Sequence, residues 1–412
     1  MAGMREQTGA LKVMAARDLE RLGVSGIPNG WRLSTVGSSC SIRNELRLPL
    51  SVEVREQMSG EYPYYGPTGI LDWLEDYRAE GDFALIGEDG DHFMEPAKKS
   101  QTVKVSGKFN VNNHAHLVGA GSTCSVDWFF HFFRHRDISH SLTRQGAGRF
   151  KLTKAALEKL PILLPPLPEQ RKIAEILRTW DEAIDKLEAL RAANLQRRVW
   201  MRTHLFTGRT RLPGYTGEWR EVALGEVLTE HGLQGTGAEE VFSVSVHKGL
   251  INQIEHLGRS FAAAENGHYN RVLPGDIVYT KSPTGDFPLG IIKQSKISAE
   301  VIVSPLYGVF TPATRALGVI LDALFESPIA VRNYLHPLVQ KGAKNTIAIT
   351  NRRFLEGKLT LPMDPAEQSA IAEVVEVSQA ELTAIEAEIA ALTRQKRGLM
   401  QKLLTGEWRV SP

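Results

Sequence analysis

Five polar loops, four of them punctuated by glycine, hold the side chains best suited to grasp another molecule. "YPYYGPTG" (62–69) offers Tyr64, Tyr65 and Thr68; "NVNNHAH" (110–116) offers Asn112, Asn113 and His116; "QGAGRFK" (145–151) offers Arg149 and Lys151. Further on, "TKSPTGDFP" (280–288) carries Lys281, Ser282 and Thr284, and "QKGAKNTIAITNRR" (340–353) carries Lys341, Lys344, Asn345 and Arg352. Amide and hydroxyl groups match the donor and acceptor patterns of base edges, while Lys and Arg meet phosphates. The chemistry implied is recognition of a nucleic acid rather than bond-making. The same residue types also populate ordinary surfaces, so composition alone leaves both readings open.

Residues that make or break bonds are not assembled into a motif. His114-x-His116 beside Asn113 has the spacing of a metal pair, but alternation on a strand, with no Cys or carboxylate cluster nearby, favours structural or DNA-facing histidines. The sequence contains no HExxH, no CxxC and no GxxxxGK[ST] phosphate loop. A glycine-rich adenosylmethionine loop and the Asn/Asp-Pro-Pro-aromatic tetrapeptide of amino-methyltransferases are also missing. Glu356-Gly-Lys358 has the Glu-x-Lys spacing of many nucleases, but an isolated three-residue match is expected by chance. A chain of 412 residues without a reaction centre reads as a reader or a scaffold. Its net charge of +2 permits nucleic-acid binding without requiring it. Two cysteines, Cys40 and Cys124, fit a reducing cytoplasm, and no apolar run approaches the length of a membrane span or a signal peptide core.

What must position these loops is a repeat. Setting each residue beside the one 198 positions later pairs Glu169-Gln170 with Glu367-Gln368, Ile173-Ala174-Glu175 with Ile371-Ala372-Glu373, and Leu205-x-Thr207-Gly208 with Leu403-x-Thr405-Gly406. No gap is needed over some forty residues, and a long helix tolerates none, because an insertion rotates its apolar face. The second copy spaces Ile371, Val375, Leu382, Ile385, Ile389, Leu392, Leu399 and Leu403 as a heptad seam interrupted by Ser378 and Lys396. The first places Ile173, Leu177, Trp180, Ile184, Leu187, Met201 and Leu205 in the same register, with Arg191, Asn194 and Arg198 on the seam. Gly208 and Gly406 sit where a C-terminal cap ends a helix. Two equal helices are expected to pair antiparallel, with one globule at each end of the rod. The closing Leu404-Thr405-Gly406-Glu407-Trp408-Arg409-Val410 looks like the start of a third unit.

Between the helices, "DFALIGEDG" (82–90), "KFNVNNHAHLV" (108–118), "DIVYTKS" (276–282) and "SPLYGVFTP" (304–312) read as strands. "VDWFFHFFRH" (126–135) and "LGVILDALFES" (317–327) read as short core helices. The fold class expected is α+β: two mixed α/β globules separated by two long helices pairing as an antiparallel coiled coil, in a tandem repeat with approximate two-fold symmetry. The expected divisions are a leader over 1–25, a globule over 26–164, a helix over 165–208, a second globule over 209–361, and a helix with tail over 362–412.

"LPPLPEQRKIAEIL" (164–177), its second copy "LPMDPAEQSAIAEVV" (361–375), the helix ends "LFTG" and "LLTG", and "GEWREV" together resemble the specificity subunit of type I restriction-modification systems. The likeness extends to "YPYYGPTGILDW", "NNHAHLV" and "PGDIVYTK", which are similar to segments of that family's target-recognition domains. The resemblance implies that each globule reads one half of a split, asymmetric site in double-stranded DNA. It implies that the helices, with Gln170, Ile173, Leu177, Trp180, Gln368, Ile371 and Val375 as candidate contacts, bind two methyltransferase subunits. It also implies motor-nuclease subunits as partners, no membrane, and no cofactor in this chain, S-adenosylmethionine, ATP and Mg being used by the partner chains. The competing readings are a self-contained sequence-specific nuclease or a fused methyltransferase-specificity protein, either of which needs a carboxylate cluster or cofactor loop, and a coiled-coil scaffold that binds protein.

Overall fold

The structure is a computed structural model that describes residues 16–145, 149–254, 268–341 and 347–411, and at 145, 149, 341, 347 and 348 only the backbone. It is α+β, with two compact units: one made of 1–186 and 389–412, the other of 187–388.

In the first unit a four-stranded antiparallel sheet runs in the order Ser41–Ile42, Ala115–Gly119, Phe83–Gly87, Thr102–Val105. Phe83–Gly87 is buried along its whole length, as a strand covered on both faces must be. Its alternation divides the core. Ala84 and Ile86 join Phe129 and Phe133 of the helix Val126–Phe133, while Phe83 and Leu85 face Phe109 and Leu117. The run read as one strand over 108–118 is two, Lys108–Val111 and Ala115–Gly119, because Asn112 Oδ1 accepts the His114 N–H at 2.9 Å and turns the chain. A second sheet has the order Ile70–Leu74, Ser59–Tyr65, Lys108–Val111, Ala79–Glu80.

The second unit repeats the first sheet strand for strand: Leu228–Glu230, Gly308–Pro312, Ile277–Thr280, Ile291–Gln294. Ile277 and Tyr279 face one core and Val278 another. Each unit also has a two-stranded clip that delivers the chain to a long helix: Arg32–Thr35 with Pro161–Leu164, and Trp219–Ala223 with Lys358–Pro362. Of the leader, 16–25 is described, and Leu22 is buried in the first unit's core while its carbonyl accepts from Arg136 Nη1 at 3.1 Å.

The long helices span Leu167–His204 and Pro365–Leu404. Gly208 and Gly406 follow them with φ of +70° and +73°, the left-handed caps that glycine adopts without strain. Within each unit the helices pair antiparallel: Asp181 with Lys396 in the first, Arg191 with Glu386 and Arg197 with Glu381 in the second. The polar seam positions are not gaps in the packing. Asn194, Arg198, Ser378 and Lys396 are all buried, and Ser378 Oγ donates to Asn194 Oδ1 at 3.4 Å.

Candidate nucleic-acid interface

The loop residues of the first unit gather around one ion-pair network. Arg47 Nη1 donates to Glu88 Oε2 at 2.7 Å and to the Asn113 carbonyl at 3.3 Å. Lys151 meets Glu88 at 3.0 Å. The Asn112 N–H donates to the Tyr65 carbonyl at 3.0 Å, joining the two hairpins. Burial alone would raise the Glu88 carboxyl, but the Lys151 bond, His116 and Arg47 together hold it below the usual range. Asn112, Asn113, His116, Lys151 and Tyr65 therefore do converge.

They do so in different roles. His116 is buried, so it is not a surface reader: Nε2 lies 2.7 Å from the Leu152 carbonyl, and Nδ1 accepts from Asn44 Nδ2 at 2.9 Å and from Arg47. Burial first, then Arg47, hold its pKa down against the Leu152 carbonyl and Glu88, so the ring is neutral at pH 7. Tyr64 is also buried, its hydroxyl donating to the Leu48 carbonyl at 2.8 Å and accepting the Leu50 N–H at 3.2 Å. Sequence placed both on polar loops, but a polar side chain whose partners are backbone atoms belongs to the scaffold. Asn112, nearly buried, builds its turn. Asn113 and Thr68 are exposed. Arg149 lies in the strand Arg149–Lys151, with its side chain outside the described residues.

The residues sequence reading missed are Arg47 and Glu88; His114, read from sequence as structural or DNA-facing, is exposed with Nδ1 2.8 Å from Asp89 Oδ2. His114 and His116 thus have separate partners, and among the described residues no group of three His, Cys, Asp or Glu could hold a metal ion. The signal for Glu88 was the "EDG" after the central strand; for Arg47, 41 residues away, there was none.

In the second unit Lys281, Ser282 and Thr284 are exposed on a loop closed by two backbone bonds between Thr284 and Phe287, at 3.1 and 2.8 Å. This loop leaves the same central strand that leads to Glu88 in the first unit. Asn351 donates to Glu230, and Arg352 is 91% exposed beside Glu356. Lys341 is described by backbone alone, and Lys344 and Asn345 lie outside the described residues.

The repeated Glu-Gln turns out to be a lock. Gln170 Oε1 accepts the Ser125 N–H at 2.9 Å while its Nε2 donates to the Thr123 and Pro165 carbonyls at 2.8 and 2.9 Å. Gln368 Oε1 accepts from Thr314 Oγ1 at 2.9 Å and Nε2 donates to the Pro362 carbonyl at 2.8 Å. Ser125 and Thr314 are the N-caps of the two units' equivalent core helices. The neighbouring Glu169 takes a bidentate pair from Arg409 at 2.7 and 2.9 Å, and Glu367 takes one from Arg211.

Residues 28–197 match the family model for the type I restriction modification DNA specificity domain. The match covers 170 of the 412 residues, the first globule of the repeat and most of the first long helix. A protein of Haemophilus influenzae named as a putative type I restriction enzyme specificity subunit is 38% identical over 137 residues, 33% of this chain and 34% of that one. The EcoprrI specificity subunit of Escherichia coli is 25% identical over 127 residues, 31% of this chain and 30% of that one. The aligned stretches thus span about a third of these relatives' lengths. The crystal structure of a type I restriction-modification S subunit from M. genitalium superimposes with a TM-score of 0.62 at 14% identity, covering 92% of this chain and 97% of that one, which establishes the shared fold.

The helix residues first expected to meet partners need correction. Gln170, Ile173, Leu177, Gln368, Ile371 and Val375 are buried within this chain, the apolar ones in its own cores, and Trp180 is half-buried. They face inward because the start of each helix is needed to close its unit. The outward apolar side chains are Leu190, Leu195, Val199 and Trp200 on the first helix and Val377 on the second. No helix of the described residues is long and apolar enough to cross a membrane.

Proposed function

We propose that this chain is the DNA sequence-recognition subunit of a type I restriction-modification complex in the cytoplasm, each unit reading one half of a bipartite asymmetric site. The observation that carries the reading is the duplicated four-stranded sheet, in which Glu88 follows Phe83–Gly87 in the first unit and the Lys281–Thr284 loop follows the equivalent strand Ile277–Thr280 in the second. In the first unit Asn113 and His114 stand exposed beside the Arg47–Glu88–Lys151 network. That is a rigid base from which short polar groups can meet base edges while cations meet phosphates. The helices dock methyltransferase subunits through Leu195, Val199 and Trp200 rather than through the buried helix starts. Adenine methylation with S-adenosylmethionine, and ATP- and Mg-dependent cleavage with motor-nuclease subunits, take place in those partner chains, so this chain holds no cofactor and carries out no reaction alone.

The test is to map methylated adenines in cells with and without this chain. One bipartite motif should vanish when it is removed, and an unchanged methylation pattern overturns the reading. Leu195→Glu/Val199→Glu should abolish methyltransferase binding while leaving the fold intact by circular dichroism. Asn113→Ala should relax one half-site only.

A further inference from the structure

The second sheet of the first unit ends in an edge strand, Ile70–Leu74, paired on one side only, with Ser59–Tyr65. Trp73 pairs with Pro63 and Ile70 with Tyr65, two residues on one face of their strand, while Leu71 is the extra residue of the register shift between them. That face is apolar across the sheet. Over Lys108–Val111 it is covered, with Phe109 and Val111 fully buried. Over the edge strand it is bare: Ile70 is 46% and Trp73 48% exposed, and Leu71, next to Ile70 in the chain, 52%. Large apolar side chains left together in water on one short strand mark an interaction surface more often than an accident of packing.

Charge says what covers it. The segment 51–82 that builds this edge has eight carboxylates against two guanidiniums, a net of −6, and seven of those carboxylates are exposed. DNA phosphates are repelled by such a rim, so this is not part of the nucleic-acid face. The stretch between the corresponding strands of the second unit, 231–276, has five carboxylates against three Lys and Arg. Ile254 is its one exposed large apolar side chain among the described residues. Among the described residues the patch belongs to one unit and not to its repeat.

We propose that Leu71 and Trp73, with their acidic rim, form a docking surface for one copy of a partner protein that presents an apolar pocket ringed by Lys and Arg. This rests on the reading of the chain as a subunit of a multiprotein complex. It adds that the assembly is one-sided, because the described residues of the second unit offer no equivalent surface. Aromatic and aliphatic side chains supply the buried area, and the rim steers a basic partner and rejects nucleic acid.

The experiment is protection of a thiol. Leu71→Cys is labelled with a maleimide in the free chain, with DNA alone, and in complexes reconstituted with the methyltransferase and motor-nuclease subunits. Cys40 and Cys124, half-buried and buried, give the background from the unsubstituted chain. Labelling should slow at least tenfold in one of the protein complexes, and Glu61→Lys/Glu75→Lys should weaken that same assembly step at least tenfold at low salt. Equal labelling rates in every complex overturn the proposal. Protection by DNA alone, or by raising the concentration of the free chain, overturns it too, by assigning the surface to DNA or to a second copy. Methylation by the unsubstituted complex is measured in the same samples. Its absence counts against the specificity-subunit reading, whereas methylation with an unprotected thiol at the substituted position counts against the docking surface alone.

Discussion

Lys396 and Arg198 occupy equivalent seam positions, 198 residues apart, and both are buried, yet the two units neutralise them differently. In the first unit Lys396 meets Asp181 of the other helix, and Asp181 also accepts from Arg134 Nη1 at 2.8 and 2.9 Å: one carboxylate serves two cations. In the second, Arg198 Nη2 donates to both carboxylate oxygens of Glu326, which lies just past the core helix, at 2.7 and 2.9 Å, and Arg202 adds a third bond at 3.2 Å. The carboxylate comes from the helix in one case and from the domain in the other. Duplication preserved the backbone geometry and the presence of a buried cation, while the ionic partner was free to move. A buried charge is tolerated wherever some element supplies its counter-charge.

The largest effect that would break this comparison is loss of the shared carboxylate. Asp181→Ala strands Lys396 and Arg134 and should destabilise the first unit by about 3–5 kcal/mol in denaturant unfolding, whereas Lys396→Met should be within about 1 kcal/mol of neutral. If Asp181→Ala unfolds like the parent, the triad contributes nothing.

Acid should separate the units next. His131, six residues past the Ser125 cap, is buried, its pKa pushed down to about 3 by burial and by Arg134 and Lys396 against the pull of Asp181. Its counterpart six residues past the Thr314 cap is Ile320. The unfolded chain takes up this proton near the usual pKa of about 6.5 and the folded chain only near 3, so stability is lost as pH falls through that window, by at most about 1.4 kcal/mol per pH unit. His131→Leu should flatten the slope, read by melting from about pH 7 to about pH 4. An unchanged slope would assign the acid sensitivity to other groups.

The glutamine locks should differ more modestly. Gln170 makes three hydrogen bonds and Gln368 two. Gln170→Leu should therefore cost about 2–3 kcal/mol and Gln368→Leu about 1–2, by chemical denaturation. Smallest is the clamp. Arg409→Ala and Arg211→Ala should each cost about 1–2 kcal/mol, by leaving Glu169 and Glu367 buried without their guanidinium. Equal costs would mean that the tail holds its unit as firmly as the internal linker holds the other.

The repeat made the helices, their caps and the strand-rich units legible from residue spacing alone, because a helix seam and a left-handed glycine are written in local pattern. The clamp was legible too: Arg211 and Arg409 share the 198-residue offset, so the stretch carrying Arg409 is the counterpart of the linker after the first helix. The seam polar residues were visible only as interruptions. Arg134, which shares Asp181 with Lys396, and Glu326, the partner of Arg198, sit outside the two long helices, and a heptad pattern says nothing about what packs beside it. Arg47 and Glu88 escaped for the same reason, as did the burial of Tyr64 and His116, since polarity on a loop does not reveal whether its partner is water or a backbone carbonyl.

The composition of the first unit, 1–186 together with 389–412, has a consequence for how the protein is made. A chain leaving the ribosome ordinarily completes its N-terminal domain first. Here the second unit is a single continuous stretch, 187–388, and has all its residues before the last segment of the first exists. The unit begun earliest therefore finishes last. Until Ile389–Pro412 is synthesised, Asp181 lacks Lys396 and Glu169 lacks Arg409. In this protein the order of translation and the order of completion run in opposite directions.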